Sequence, residues 1–200
     1  MIKKLTIAAV VLPLCMAAQA REGAYIGANL AWSQIDIEAI VDTPYSKGSD
    51  KDYGAGGAIY AGYGRMGANG FLALEINVDA SDAKISEKES GTAITYEKKE
   101  SFGAGVLMGA NLPHNFAAYA RVGWQQSDFR LGVDVGASQA SVRKEHDGIR
   151  YGVGAMIPLH EILDLRLEAN HTYYNKKYYA DNLQGRPKEN QIQAGLTLRF

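Results

Sequence analysis

The chain has 200 residues, of which 46% are hydrophobic and 22% charged, and its formal net charge is −1. This length suits a single domain, and the near-neutral charge gives no reason to expect a nucleic-acid partner. No uninterrupted apolar run reaches the roughly 18–20 residues of a membrane helix, which argues against a multi-helix membrane protein.

The N-terminus carries the pattern of a secretory signal peptide. Lys3 and Lys4 precede a short apolar stretch, which a proline interrupts, and the sequence AQA ends at Ala20. A basic start, a short apolar core and an A-x-A end predict cleavage after this alanine. We therefore expect a signal peptide over residues 1–20 and one mature domain over residues 21–200. An uncleaved N-terminal anchor is the less consistent alternative, because the apolar core is short.

The cysteine content limits how the mature chain can be stabilised. The only cysteine, Cys15, lies inside the signal segment and follows Leu14 rather than a small residue, so lipid modification is not expected. The mature chain is then predicted to have no disulfide and no cysteine-based metal site. Its stability must come from packing and hydrogen bonding.

Eight segments of the mature chain alternate apolar and polar residues with period two. In the last segment, Ile192, Ala194, Leu196, Leu198 and Phe200 form an apolar face, and the residues between them are polar or small. Such alternation predicts a strand with two different faces. The predicted strands cover residues 23–33, 53–64, 72–79, 102–110, 116–125, 148–157, 163–170 and 190–200.

Short turns and long polar segments alternate between these strands. The long segments, residues 34–52, 80–100, 126–147 and 175–189, are predicted to be loops, with strands extending into the second and third of them. Outer-membrane barrels have this layout, with short turns in the periplasm and long loops outside.

Glycines and aromatic residues favour a membrane barrel over a soluble lipocalin-like barrel, whose apolar face points inward. The non-apolar face is rich in glycine and poor in charge, which suits a narrow interior better than a surface in water. Aromatic side chains lie at both ends of the apolar face, as in the girdles of membrane barrels. The predicted girdle consists of Trp32, Tyr53, Tyr63, Phe116, Trp124, Tyr151 and Tyr173, with Phe200 at the end of the last strand. We therefore predict an all-β fold, an eight-stranded antiparallel up-and-down transmembrane β-barrel in the outer membrane of a Gram-negative bacterium.

Several short motifs run through the mature chain, at residues 62–63, 72–75, 119–123, 151–154, 165–168 and 195–200. On these residues the chain resembles the outer-membrane protein A/X-like family of small, porin-like barrels. The resemblance implies that Phe200 is the signal read by the barrel-assembly machinery. It also implies that the peptidoglycan-binding domain of the larger family members is absent, because the sequence stops at Phe200.

Charged residues on different strands share the polar face and form the predicted lumen network: Glu75, Arg121, Arg150, Arg166 and Glu168. In a narrow interior these side chains should meet, and the glutamates should pair with arginines because an unpaired buried ion is costly. The network is expected to act as a structural plug. The alternative is a small gated pore, although eight strands leave room for side chains rather than for a wide channel.

His171 raises the alternative of an enzyme, since the layout also resembles that of lipid A deacylases. Their chemistry needs a serine on the same strand face as the histidine and a carboxylate to polarise it. The same-face neighbour of His171 is Tyr173, and Thr172 points to the opposite face. We therefore expect no enzymatic activity, and we predict no catalytic residue, cofactor or metal site. His171 is expected to be a polar residue of the outer interface.

The fourth long segment combines basic and aromatic residues and is the candidate for an external contact: Lys176, Lys177, Tyr178, Tyr179, Arg186 and Lys188. Charge-assisted hydrogen bonds and aromatic area would suit the phosphates of lipopolysaccharide or a host ligand. The alternative is an ordinary solvated loop.

These features predict a monomeric integral protein of the outer membrane with a structural or surface-interaction role, such as adhesion or resistance to host defence. The alternatives are a minor porin-like channel for small solutes and, less consistent with the sequence, a lipid A-modifying enzyme. The expected partners are outer-membrane lipid and lipopolysaccharide, the barrel-assembly machinery, and a host or other extracellular ligand. The loops of such barrels vary independently of the scaffold, so the fold alone does not identify that ligand.

Overall fold

The computed structural model of the protein describes residues 23–42, 45–66, 70–82, 84–89, 92–135, 138–180 and 183–200. The predicted signal peptide, residues 1–20, lies outside these ranges, and so does Cys15. Within the described ranges, no helix has the length and apolar character needed to cross a membrane.

Ten β-strands account for most of the described chain. They are β1 (Gly23–Asp42), β2 (Tyr45–Met66), β3 (Gly70–Ser81), β4 (Lys84–Glu89), β5 (Thr92–Asn111), β6 (Ala117–Val135), β7 (Ser138–His160), β8 (Leu163–Tyr174), β9 (Lys177–Ala180) and β10 (Leu183–Arg199). A short 3-10 turn, Pro113–Asn115, joins β5 to β6.

The strands form one antiparallel sheet that closes on itself. Neighbours pair in the order β1-β2-β3-β5-β6-β7-β8-β10, and β10 pairs with β1, for example at Ala194 opposite Leu30. β4 continues the line of β3 along β5, and β9 continues the line of β8 along β10, so the ten strands make an eight-stranded barrel. Closure gives the strands no free edge, which satisfies their backbone groups without water. The predicted eight-stranded antiparallel barrel is confirmed.

The barrel is apolar outside and polar inside. On β3, buried and exposed residues alternate without interruption from Phe71 to Ser81. Leu74 is 64% exposed, whereas Glu75 beside it is only 2% exposed. A soluble protein rarely exposes a continuous band of large apolar side chains. The lipocalin-like alternative, with its apolar face inward, is therefore excluded, and the outer face is the one that contacts lipid.

The long segments predicted as loops are largely strand, so the loop prediction was wrong for most of their length. β1 and β2 stay paired from Gln34 opposite Tyr53 to Asp42 opposite Tyr45. The expected extension of strands into the third segment is present, since β6 and β7 pair as far as Val135 opposite Ser138. Beyond the membrane neither strand face has to be apolar, so the sequence alternation fades while the backbone hydrogen bonds continue.

Two inward glycines lie against tyrosine rings in the lumen. A Cβ atom at Gly62 would collide with the ring of Tyr25, and one at Gly154 would collide with the ring of Tyr119. These glycines make room for large side chains from neighbouring strands, as expected for a narrow interior.

Candidate functional site

Four of the predicted lumen residues meet in the barrel interior and form the central cluster, Glu75, Arg121, Arg166 and Glu168. Glu75 accepts hydrogen bonds from Arg166 Nη1 at 2.6 Å and from Arg121 Nη1 at 2.7 Å. Glu168 accepts from Arg121 Nη1 at 3.3 Å and from Arg166 Nε at 3.1 Å. The four side chains are 0–3% exposed. Two guanidinium groups therefore share two carboxylates, which balances the charge that burial would otherwise make costly.

Tyrosines complete the central cluster on the side of the short turns. Tyr25 and Tyr119 each donate a hydrogen bond to one of the two carboxylates, at 3.0 and 2.6 Å. The guanidinium carbon of Arg166 lies 4.3 Å from the centre of the Tyr60 ring, which is a cation–π contact. The three tyrosines pack with Phe71 in a buried cluster. Aromatic rings thus fill the lumen between the ion pairs and the turns.

Arg150 does not join the central cluster, which corrects the expectation that all five charges meet. Its Nη2 atom lies 2.9 Å from Asp79 Oδ2, and its Nε atom donates to Thr172 at 3.2 Å. Thr172 is the register partner of Arg150, and Glu168 lies four residues further along β8, or about 14 Å away at roughly 3.4 Å per residue. Arg150 is too far from Glu168 to pair with it, and it pairs with the Asp79 carboxylate instead.

A further buried ion pair, Lys98–Glu189, was not predicted from the sequence. Lys98 Nζ lies 2.7 Å from Glu189 Oε1 with both side chains fully buried, and Tyr174 donates to Glu189 at 3.0 Å. Both charges fall in segments predicted as loops. Glu189 shares the face of the inward residue Gln191, so a longer alternation could have identified it. Lys98 could not be found this way, because a register shift between Lys98 and Ser101 reverses the faces of the strand.

Three rings fill the lumen on the loop side, next to the Lys98–Glu189 pair. The rings of His146 and Tyr174 each meet Phe129 edge-on, with 5.2 Å between ring centres. His146 lies beyond the apolar band, since Glu145 and Asp147 beside it carry charge on the outer face. Burial lowers the pKa of His146 to about 4, so the ring is neutral at physiological pH.

The described side chains therefore occupy the lumen in successive layers. From the turn side these are the tyrosine rings, the central cluster, the Arg150–Asp79 pair, the Lys98–Glu189 pair and the Phe129 rings. Each ion-pair layer has equal numbers of cations and carboxylates. Such layers hold strands in register and leave little space for a wide aqueous channel. Across the described ranges, no group of His, Cys, Asp or Glu is arranged to hold a metal ion.

The predicted girdle residues lie on the outer face. On the loop side, Trp32, Tyr53, Trp124 and Tyr151 are 42–69% exposed, and Tyr173 is partly exposed. On the turn side, Tyr63, Phe116 and Phe200 are 38–64% exposed. The two sets lie at opposite ends of the apolar band, where a bilayer has its interfaces. Their action as a girdle, and that of Phe200 in assembly, stay predictions.

His171 and its neighbours form a polar group on the outer face. His171 Nδ1 lies 2.7 Å from Asn190 Oδ1, and its ring is 5.2 Å from Tyr151 and 6.4 Å from Tyr173, between ring centres. The interface position expected for His171 agrees with this geometry. Its contacts are an amide and two aromatic rings, which is not the serine and carboxylate arrangement of a hydrolase.

The basic residues of the fourth long segment do not form one group. Arg186 and Lys188 lie over the Tyr173 ring, at 3.8 and 5.5 Å from its centre. Lys177 Nζ instead lies 3.9 Å from Asp147 Oδ2. Lys176 is exposed between β8 and β9. The side chains of Tyr178 and Tyr179 lie outside the described part of the structure.

Comparison with known proteins agrees with this architecture. The family described as "Outer membrane protein beta-barrel domain" matches residues 6–200 of the chain. No curated protein matches the chain. Neisserial surface protein A is 21% identical, covering 89% of this chain and 97% of that one, with a TM-score of 0.50. OprG from Pseudomonas aeruginosa is 12% identical, covering 90% and 97%, with a TM-score of 0.51.

A major outer-membrane protein from Thermus thermophilus is also 12% identical, covering 86% of this chain and 99% of that one, with a TM-score of 0.53. At these identities the solved structures show a shared fold. The family match extends over the whole barrel, and outer-membrane localisation follows from it. The chain therefore belongs to the outer-membrane protein β-barrel domain family, and it is an integral protein of the outer membrane.

Proposed function

We propose that this protein is a closed, non-enzymatic barrel that acts through the hairpins it carries outside the cell, in adhesion or in resistance to host defence. The observation that carries the proposal is the length of the paired strands beyond the apolar band. β6 and β7 continue from Gln126 opposite Asp147 to Val135 opposite Ser138. Each strand has ten residues in this stretch, and the nine steps between them span about 30 Å at roughly 3.4 Å per residue before any tilt.

The projecting hairpins have the properties of a binding scaffold. Their backbones are paired with each other, as in β1 and β2, which remain in register up to Asp42 opposite Tyr45. Paired strands lose less conformational freedom on binding than free loops do, so less of the binding energy is spent on ordering them. Paired strands of this length suit contact with another macromolecule rather than with a small solute.

The filled lumen supports this role over that of a porin-like channel. The central cluster and the two further ion pairs are buried and charge-balanced. An eight-stranded barrel has just enough interior for side chains, so a diffusion channel would require these pairs to separate. A lipid A-modifying activity has no supporting geometry at His171, whose Nδ1 atom contacts the Asn190 amide.

Shortening a hairpin without disturbing the barrel tests the proposal. Arg130 and Arg143 are register partners on β6 and β7, so residues 131–142 can be replaced by a two-residue Asn-Gly turn. Residues 39–48 can be replaced in the same way between Glu38 and Ser49 of β1 and β2. Outer-membrane yield and the gel mobility of unboiled protein establish that each variant has folded.

Bacteria with the full-length barrel should adhere to host-cell monolayers or survive in fresh serum better than a deletion strain. At least one shortened variant should lose that advantage. If both shortened barrels act like the full-length protein, the hairpins are not the functional surface. Uptake of small solutes that depends on the barrel but not on its hairpins would favour the channel instead.

A further inference from the structure

The barrel wall is closed within the apolar band, but beyond it the sheet divides into two. β7 and β8 pair only as far as Gly148 opposite Tyr174, and β9 then pairs with β10 and not with β7. Elsewhere in the wall, β2 and β3 pair only as far as Gly56 opposite Ser81, and β4 pairs with β5. The projecting strands that the structure describes therefore form two four-stranded sheets, β9-β10-β1-β2 and β4-β5-β6-β7.

Residues 138–147 of β7 form one border of these sheets and are called the β7 edge below. They pair with β6 on one side, and no described strand pairs with β7 on the other side of this stretch. Asp147 O accepts a hydrogen bond from Asn175 N at 2.8 Å across this border. Backbone groups point to alternate sides along a strand, and the register of β6 and β7 has no shift. The N–H and C=O groups of Ser141 and Arg143 therefore point away from β6 as well.

Lys177 blocks one end of the β7 edge. Its ammonium group donates a hydrogen bond to the backbone oxygen of Glu145 and lies 3.9 Å from the Asp147 carboxylate. Natural proteins place lysine at strand edges to prevent unwanted pairing. Lys177 covers a single carbonyl near the membrane, and the described residues give the backbone groups of Ser141 and Arg143 no hydrogen-bond partner on this side. Further from the membrane the β7 edge is therefore open to another strand.

The side chains along the β7 edge do not form an apolar pocket. Ser141, Arg143 and Glu145 are polar and exposed, and Arg143 forms an ion pair with Asp128 on β6. A partner would therefore be held through its backbone, with little selection for its sequence.

We propose that the β7 edge binds an extended peptide segment of another protein, which adds to the sheet as an antiparallel strand. Residues of the segment that face β7 exchange N–H and C=O hydrogen bonds with Ser141 and Arg143. The Lys177 ammonium leaves Glu145 O as the segment pairs with this part of β7. The inference rests on the function proposed for the hairpins and deepens it, because it names the kind of partner.

A second copy of the chain fits the β7 edge less well than a separate protein does. Two barrels in one membrane are related by an axis along the membrane normal, so their β7 strands run in the same direction. Parallel pairs are less stable than antiparallel pairs. A segment outside the membrane has no such restriction and can approach β7 in the antiparallel direction.

Peptide binding by the refolded barrel in detergent tests the proposal. The probe is a synthetic peptide of alternating threonine and valine, and the control probe is the same peptide with every second backbone nitrogen methylated, which removes the donors along one edge. The test variant, Ser141→Pro, removes an N–H that faces the β7 edge but no hydrogen bond to β6. The matched control, Ser141→Ala, keeps the N–H and, like proline, removes the hydroxyl that accepts from Arg130. Gel mobility of unboiled samples establishes folding.

We expect the wild type and Ser141→Ala to bind the unmodified peptide saturably, and the amides of Ser141 and Arg143 in the wild type to exchange more slowly when it is bound. Ser141→Pro should bind about 10-fold more weakly, which is about 1.4 kcal/mol, and the methylated peptide should bind more weakly still. Equal binding by Ser141→Pro and Ser141→Ala, or unchanged amide exchange, would overturn the proposal. Protection that appears without peptide and rises with protein concentration would assign the β7 edge to a second copy, and would also overturn it.

Lys177→Met gives a result of opposite sign and applies even if the proline variant does not fold. Methionine removes the ammonium donor, so Glu145 O becomes available and peptide binding should strengthen several-fold; unchanged or weaker binding contradicts the proposal.

The shortened hairpins separate this inference from the proposed function. The barrel shortened at residues 39–48 keeps the β7 edge and should bind the peptide like wild type, whereas the barrel shortened at residues 131–142 should lose most of the binding. Equal peptide binding by these two barrels would overturn the inference. Hairpin-dependent adhesion without peptide binding would overturn the inference alone, and peptide binding without hairpin-dependent adhesion or serum survival would overturn the proposed function alone.

Discussion

Replacing Glu168 with glutamine removes one of the two carboxylates that balance Arg121 and Arg166 in the lumen. Glu168 also accepts hydrogen bonds from Tyr119 at 2.6 Å and from Asn170 at 2.7 Å. Glutamine has nearly the same shape, so the change removes charge with little loss of packing. The central cluster would then hold two guanidinium groups and one carboxylate.

The cost of this change can be bounded from the geometry. Breaking a buried ion pair by removing one partner typically costs about 3–5 kcal/mol. Glu75 remains within 2.7 Å of both arginines, so we expect the lower end, about 3 kcal/mol. With a urea dependence of about 1–3 kcal/mol per molar, the unfolding midpoint should fall by about 1–3 M. Glu168→Ala should cost more, because it also leaves a cavity.

Urea unfolding in lipid vesicles, followed by tryptophan fluorescence, would measure these shifts. The matched control is Glu145→Gln on the exposed part of β7, where Glu145 accepts from Gln126 at 3.2 Å; it should change stability by less than about 0.5 kcal/mol. The double variant Glu168→Gln/Arg121→Gln restores the charge balance and should recover part of the loss.

Single-channel recording adds an independent measurement. Glu168→Ala removes part of the side-chain plug, and its ion conductance should exceed that of wild type. If Glu168→Ala changes neither the urea midpoint nor the conductance, the central cluster contributes nothing to closure. The inward position assigned to β8 residues would then have to be revised first.

Three other predictions concern assembly, pH and packing. Deleting Phe200 should leave export intact but lower the amount of folded barrel in the outer membrane, with unfolded protein in the periplasm; normal yield without Phe200 would refute its role in assembly. The pKa of His146, about 4 when folded against 6.5 ordinarily, means that the unfolded chain binds more protons between these values. The free energy of unfolding should therefore fall by up to about 3 kcal/mol as the pH drops from about 6.5 to 4. His146→Gln should lose this part of the pH dependence, and an unchanged pH profile would contradict the neutral, buried ring. Gly154→Ala places a methyl group against the Tyr119 ring and should destabilise the barrel by about 1–3 kcal/mol in urea unfolding, whereas wild-type stability would show that the ring can move aside.

The sequence determined the parts of this protein that depend on local periodicity. A membrane-spanning strand must present apolar residues to lipid at every second position, so the alternation around Leu74 and Leu196 specifies both the strand and its outer face. The same alternation places Glu75, Arg121 and Glu168 inside. Strand number, the order of short turns and the inward direction of these charges all follow from this one constraint.

The alternation of apolar and polar residues did not predict how far the strands extend beyond the membrane. Above the apolar band, no lipid requires an apolar residue at every second position of β1 and β2, so the residues between Gln34 and Asp42 can vary without breaking the hydrogen-bonded pairs. Backbone hydrogen bonds between the strands do not require a periodic pattern of residue types there. The sequence of such a region looks like a loop although it folds as a hairpin.

Only the tertiary structure decided which charges meet. The alternation of inward and outward residues places Arg150 in the lumen. The stagger of the strands then brings Asp79 within 2.9 Å of it, whereas Glu168 lies in another layer. The register shift before Ser101 turns Lys98 toward Glu189, against the alternation of its own strand. Local sequence controls the face on which a side chain lies, because each strand's pleat has a period of two. Contacts across the lumen depend on register, bulges and closure, which are properties of strands that are distant in the chain.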